Sequence, residues 1–186
     1  DLLKMYTRPN KPLEYAPRYT DSMPDKKPGL LFWKKTFDGL EIQRIPDDKG
    51  PSISCERKAG HVEAVLPPKL WRLLAEIREQ TNATNFTILL AIYRLMIYKL
   101  AGSNDVLVGI LVEQRNIKNK DVVGCFVNTV LLRCLLDPDE TFVQFIDRMN
   151  STIADARRHS HVPYEDACAT LPTDSNILQI SLMRML

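Results

Sequence analysis

Histidine is the residue of this 186-residue chain whose spacing most directly suggests chemistry. Of the three histidines, His159 and His161 stand two residues apart, with Asp166 and Cys168 a few positions further on. Imidazole, thiolate and carboxylate groups are the usual ligands of zinc. The two-residue spacing is unspecific, however, and the last turn of a helix favours cationic side chains for electrostatic reasons alone. We therefore predict no metal site.

A cysteine activated by a histidine is the second chemistry that the residue types would allow. The four cysteines are Cys55, Cys125, Cys134 and Cys168. Cys125 or Cys168 could pair with His159 or His161, but sequence alone does not bring them together. No two cysteines have the Cys-x-x-Cys spacing of zinc ribbons or redox motifs, so we expect free thiols in a reducing cytoplasm. An acyltransferase with a thiol nucleophile stays open as an alternative.

Polar residues that interrupt an apolar run are a third signal. Asn128 and Thr129 lie within the apolar stretch from Cys125 to Leu136. A buried amide must be hydrogen-bonded or must line a cavity, and both interpretations remain open for Asn128. Gly124, just before this stretch, would let another group approach the backbone closely.

The elements that must position these residues follow from hydrophobic periodicity and from helix start and stop signals. The predicted order is β-α-α-β-β-α-α-β, preceded by a proline-rich connector over residues 1–58 that contains one short helix, Leu30 to Leu40. The later elements are a strand over 61–66, a helix from Pro67-Pro68 with Leu70, Trp71, Leu74 and Ile77 on a buried stripe, a helix from Asn85 to Leu100, strands over 106–112 and 125–136, a helix from Thr141 to Arg158, a short helix from Pro163, and a strand over 177–183.

Composition and charge exclude several classes of function. The formal net charge is only +2 and the basic residues are scattered, so a nucleic-acid surface is not expected. The longest apolar stretch, Phe86 to Leu100, is too short and too charged to cross a bilayer, and we expect no signal peptide. The sequence begins at Asp1 without a methionine and ends at Leu186 within an apolar run, so we expect a piece of a larger polypeptide.

Three motifs appear in order along the chain and carry a family resemblance. Their residues are Asp105, Val106, Val108, Gly109 and Arg115; then Gly124, Phe126, Val127, Asn128, Thr129 and Arg133; then His159, Pro163, Tyr164 and Glu165. The chain resembles the C-terminal part of a condensation domain of non-ribosomal peptide synthetases, in the chloramphenicol-acetyltransferase-like superfamily. Leu111 stands where the family usually has proline.

The resemblance implies an α/β two-layer sandwich, with a mixed sheet covered by helices over residues 59–186. It implies amide-bond formation between aminoacyl or peptidyl thioesters on carrier proteins during secondary metabolite biosynthesis. The family's catalytic His-His-x-x-x-Asp-Gly motif is absent, so no catalytic residue is expected in this chain and the chain alone should be inactive. The alternative is a non-catalytic condensation-like scaffold or a docking module for carrier proteins.

The resemblance also assigns roles to residues. Substrate-tunnel candidates are Asn128, Gly124 and Thr129; structural or lobe-interface candidates are Arg133, Arg115, His159, Pro163, Tyr164 and Glu165. Expected partners are the N-terminal lobe of the same domain, peptidyl carrier proteins with phosphopantetheine arms and an adjacent adenylation domain. We expect no directly bound cofactor and no nucleic-acid or membrane partner. We do expect self-association through exposed apolar surface.

Overall fold

A mixed three-stranded sheet lies at the centre of the computed structural model, which describes residues 19, 24–40, 60–120, 122–171 and 181–183. Strands β1 (Asp105–Glu113) and β2 (Val127–Leu135) are antiparallel, with Asp105 opposite Leu135 and Glu113 opposite Val127. The short strand β3 (Ser181–Met183) runs parallel to β1 on its other side. The sheet order is therefore β2-β1-β3.

Five helices accompany this sheet within the described ranges. They are α1 (Lys27–Thr36), α2 (Pro68–Thr81), α3 (Asn85–Ala101), α4 (Phe142–Arg158) and α5 (Tyr164–Cys168). Helix α4 packs on β2 and helix α3 on β1, and these two helices also pack against each other. The α/β fold with a mixed sheet covered by helices is confirmed.

Local capping explains why the two long helices begin where the sequence predicts. The Thr84 hydroxyl accepts a hydrogen bond from the Thr87 backbone N–H at 3.1 Å and starts α3. Thr141 and Gln144 form a reciprocal capping box that starts α4. Gly102, with a φ of 66°, ends α3 in the left-handed conformation that glycine adopts without strain.

Helix α1 is part of the core although the sequence assigns it to the connector over 1–58. Trp33 and Phe37 on its inner face are each 1% exposed and belong to the same apolar cluster as Val108 and Leu132 of the sheet. Most of the rest of the connector, Cys55 and most of the last predicted strand lie outside the described residues. The boundary near residue 58 stays a prediction.

Two predictions about the segment before α3 are wrong. Residues 61–66 form no strand and pair with no described strand, and Val62 and Val65 are 94% and 89% exposed. A segment of alternating apolar and polar residues forms a strand only where a neighbouring strand supplies hydrogen bonds. On α2, Leu74 is buried but Leu70 and Trp71 are about half exposed. The packing of α2 against α3 and α4 covers a narrower face than the predicted stripe.

The described residues include no helix long and apolar enough to cross a membrane.

Candidate functional site

The segment of residues 159–164, which joins α4 to α5, is held against one end of the sheet by Asn128. The Asn128 Nδ2 atom donates to the backbone oxygens of Ser160 at 2.7 Å and of Val162 at 2.6 Å. Its Oδ1 atom accepts from the Tyr164 backbone N–H at 3.2 Å. The amide thus bonds to backbone that lies more than thirty residues away in sequence. A tunnel-lining role for Asn128, and for the half-buried Thr129 beside it, stays a prediction.

The Gln114 side chain also binds this segment, and the sequence analysis did not identify Gln114 as a site residue. Its Nε2 atom donates to the same Ser160 oxygen, and its backbone N–H donates to the Phe126 oxygen at 2.7 Å. Val112 lies opposite Asn128 in the register, so the period of two along a strand puts Gln114 on the same face as Asn128. Two amide side chains on one face at the same end of a strand pair were the available signal.

His159 connects the segment to helix α1. Its ring stacks on Phe32, with ring centres 4.0 Å apart, and its backbone oxygen accepts from the Trp33 indole N–H at 3.2 Å. Its Nδ1 atom is buried and has no hydrogen-bond partner among the described residues. Burial lowers the pKa of His159, and the charges of His161 and Arg158 lower it further. A neutral imidazole is therefore favoured here.

The two buried cysteines of the described chain do not have the character of nucleophiles. Cys125 is exposed, whereas Cys134 and Cys168 are buried free thiols. Burial raises the pKa of both buried thiols, which disfavours the reactive thiolate. Burial, together with its hydrogen bond to Cys168, also raises the pKa of Tyr164 to about 12.

The other residues of the third motif surround the start of α5. Pro163 immediately precedes this helix, and Glu165 in its first turn is exposed. Interface roles for Pro163, Tyr164 and Glu165 stay predictions. The rings of His159 and His161 are 6.2 Å apart, and no group of three or more metal-ligating side chains is found in the parts of the chain that the structure describes.

Arg133 anchors the end of helix α1 to the opposite end of the sheet. Its guanidinium binds the Asp105 carboxylate through Nε at 2.9 Å and Nη2 at 2.7 Å. The side chains of this ion pair are 15% and 13% exposed. The remaining N–H groups donate to the backbone oxygens where α1 ends, those of Thr36, Asp38 and Gly39. A contact of Arg133 with another lobe stays a prediction.

Arg115 organises the loop between β1 and β2. Its guanidinium donates to four backbone oxygens, those of Asn119, Lys120, Val122 and Gly124, at 3.1–3.2 Å. It also lies 4.5 Å from the centre of the Phe126 ring. Arg115 therefore has a structural part in this loop, whereas any contact with another lobe stays a prediction.

The group that approaches Gly124 closely is the ring of Tyr19. A Cβ atom on Gly124 would lie 2.3 Å from the Cδ2 atom of Tyr19, so a larger residue would displace that ring. The Tyr19 hydroxyl donates to the Cys125 oxygen at 2.8 Å, and its ring packs edge-on against Phe126. A substrate-tunnel role for Gly124 stays a prediction.

A cleft of about 190 Å³ opens between the β1–β2 loop and the 159–164 segment. Its lining residues are Pro24, Gln114, Asn116, Asn119, Phe126, Arg158, Ser160 and His161. Three amide side chains and Arg158 lie among these residues, so the cleft can accept polar groups such as amides or anions.

The described residues form an α/β fold in which a mixed sheet carries two helices, and Asn128 joins two motifs that are distant in sequence. The family model of the condensation domain matches residues 6–183, and the chain belongs to that family. The chain is 30% identical over 162 residues to a linear gramicidin synthase of Brevibacillus parabrevis, covering 86% of this chain and 3% of that protein. It is also 30% identical over 160 residues to the cyclosporin synthetase of Tolypocladium inflatum, covering 85% of this chain and 1% of that one.

Solved structures of low sequence identity share the fold. A four-domain nonribosomal peptide synthetase bound to AMP and glycine aligns with a TM-score of 0.73 at 20% identity, covering 83% of this chain and 12% of that one. The X-domain from teicoplanin biosynthesis aligns with a TM-score of 0.71 at 20% identity, covering 94% of this chain and 36% of that one. The chain thus spans a small part of the curated relatives and about a third of the X-domain.

Proposed function

We propose that this chain is the C-terminal lobe of a condensation domain that forms amide bonds between carrier-bound aminoacyl or peptidyl thioesters. The observation that carries the proposal is the bonding of Asn128 to residues 160–164. It joins two motifs of the condensation family in space, in a chain that the family model matches almost end to end. The relatives at 30% identity are named as a linear gramicidin synthase and a cyclosporin synthetase, which supports the same chemistry.

In the proposed reaction, an acceptor amine attacks the carbonyl carbon of a donor thioester. The C–N bond forms, the C–S bond breaks, and the thiol of the phosphopantetheine arm leaves as the amine loses its proton. None of the three histidines in this chain is doubled, so the proton-handling histidines of the family motif would come from a companion N-terminal lobe. This chain would act as a rigid wall that orients the two reactants.

The proposed partners follow from that reaction. Two carrier domains would bring the thioesters, with the phosphopantetheine arms as parts of the substrates, and an adenylation domain would lie next to the condensation domain. We also propose a cytoplasmic location, which the free thiols of Cys125, Cys134 and Cys168 support.

Reconstitution with a companion lobe tests the proposal. The chain is co-expressed with an N-terminal condensation lobe that carries the paired histidines, and two aminoacyl-loaded carrier proteins are added. We expect an amide product by mass spectrometry from the pair of lobes, none from this chain alone, and none when the second histidine of the companion lobe is replaced by alanine.

The alternatives predict different results in the same assay. A scaffold or docking module would bind carrier proteins but give no amide with an active companion lobe. A thiol-based acyltransferase would be active without the companion lobe and would lose that activity on alkylation. Either result would contradict the proposed division of labour between the lobes.

A further inference from the structure

The outer face of helix α1 carries positive charge around one exposed leucine. Lys27, Lys34 and Lys35 are exposed, and Leu31 between them is 71% exposed. At 100° per residue, Leu31 lies at the middle of the exposed arc, with Lys27 and Lys34 on one side and Lys35 on the other. The face is about 12 Å long at 1.5 Å per residue. We call these four residues the basic face.

The charges of the basic face are not neutralised within the part of the chain that the structure describes. Helix α1 contains no acidic residue, and the three lysine side chains form no ion pair there. The neighbouring Lys26, in contrast, pairs with Asp166 at 2.7 Å. Lys27, Lys34 and Lys35 are thus available to a partner.

Helix α1 is firmly attached to the rest of the described chain, so the basic face has a fixed position. On its inner side Trp33 and Phe37 are buried in the core. The Trp33 indole bonds to the 159–164 segment, and Arg133 binds the backbone oxygens at its end. A rigid helix fixes the backbone positions from which these side chains extend, so binding orders the side chains but not the backbone.

We propose that the basic face docks an acidic amphipathic helix of a partner protein or domain. Three cations at fixed spacing match carboxylates along one side of such a helix, and Leu31 contributes a central apolar contact. A membrane surface fits less well, because an interfacial helix buries a broad apolar face and only one apolar side chain is exposed here.

The test uses a helical peptide of about five turns with a leucine seam flanked by glutamates, and its glutamine-for-glutamate analogue. We expect the glutamate peptide to bind the chain, with an affinity that falls as salt rises. The triple variant Lys27→Glu, Lys34→Glu, Lys35→Glu should weaken binding at least about tenfold, because three attractive contacts become repulsive. Leu31→Ser should weaken binding without changing the salt dependence.

A control variant of equal net charge separates the basic face from charge in general. Lys69→Glu, Lys99→Glu, Lys118→Glu changes three exposed lysines elsewhere and should stay within about twofold of the unmodified chain. Equal losses in the two triple variants, or no preference for glutamate over glutamine, would overturn the proposal. So would binding to phosphatidylserine vesicles through these lysines without peptide binding. If the triple variant unfolds, Lys34→Glu and Leu31→Ser alone decide the question.

Discussion

At the scale of single residues, side-chain amides and guanidinium groups connect distant pieces of backbone. Asn128 is the clearest case, since both its N–H groups and its oxygen bond to the 159–164 segment. We expect Asn128→Ala to lower the free energy of unfolding by about 1–3 kcal/mol, because it leaves the Val162 carbonyl and the Tyr164 N–H without their partner, while the Ser160 carbonyl keeps its bond to Gln114. Urea unfolding measures this, with Thr129→Val as a neighbouring control whose side chain forms no hydrogen bond to the described residues.

His159 gives stability that depends on pH. Its pKa in the folded chain is lowered from the ordinary 6.5 by burial and by the nearby charges of His161 and Arg158, which Asp155 partly opposes. As pH falls below about 6.5, the unfolded chain binds a proton at His159 before the folded chain does. The free energy of unfolding that is present at neutral pH is therefore lost as pH falls from about 6.5 to the pKa of His159 in the folded chain.

We therefore expect the unmodified chain to lose more stability between about pH 7.5 and pH 5 than His159→Gln does. Urea unfolding at several pH values measures the two slopes. His61→Gln, at an exposed site, is the control and should keep the slope of the unmodified chain. Parallel curves for the unmodified chain and His159→Gln would show that His159 does not titrate differently on folding.

The sequence identifies several residues of the site, but it does not identify the groups that they contact. Asn128 was expected to bond to backbone or to line a cavity, but the carbonyls it binds lie over thirty positions away and no periodicity locates them. Gly124 was expected to accommodate a close neighbour, yet nothing local identifies the ring of Tyr19 as that neighbour. Such pairings depend on tertiary packing, which a single sequence does not record.

At the scale of elements, Arg133 determines how firmly helix α1 is attached to the sheet. We expect Arg133→Lys to lower the free energy of unfolding by about 2 kcal/mol, because an ammonium group cannot bind Asp105 with two parallel bonds and also reach three carbonyls. Hydrogen–deuterium exchange should then speed up in α1 more than in α3. Arg157→Lys, on the exposed side of α4, should change neither measurement.

Local signals explain which elements the sequence predicts correctly. Helices α3 and α4 begin at threonine caps that act within three residues, so a short window suffices to find them. The predicted strand over 61–66 fails because pairing needs a partner strand, which alternation alone cannot supply. Helix α1 is predicted from local signals, but its place in the core depends on distant contacts such as the bond from Trp33 to the His159 oxygen, 126 positions away.

At the scale of the whole molecule, the helical layer and the sheet are joined by a buried charge. Arg94 of α3 is 0% exposed, and its guanidinium donates to the backbone oxygens of Leu132 and Cys134 in β2. Burial lowers the pKa of Arg94 to about 10, and its Nε atom has no partner among the described residues. In the sequence this arginine argues against a membrane span, but a cation in the middle of an apolar helix also indicates an internal hydrogen-bond role.

The opposite side of the same helix leaves apolar surface uncovered. Ile92, Met96 and Leu100 follow one another at four-residue intervals along α3 and are 44%, 47% and 53% exposed. Burying the exposed half of each would stabilise a contact by roughly 1 kcal/mol per side chain. We therefore expect the isolated chain to self-associate, with a sedimentation coefficient that rises with concentration.

Substitutions on this surface make the expectation specific. Ile92→Gln with Met96→Gln should return the chain to the sedimentation coefficient of a monomer at the same concentration, because the apolar stripe is interrupted at two of its three positions. Ile117→Gln removes an apolar side chain that is 86% exposed in the loop after β1, and it should leave the association unchanged. A chain that sediments as a monomer up to high micromolar concentration would show that this stripe is too small to drive association. Association that survives the double substitution would assign it to another surface.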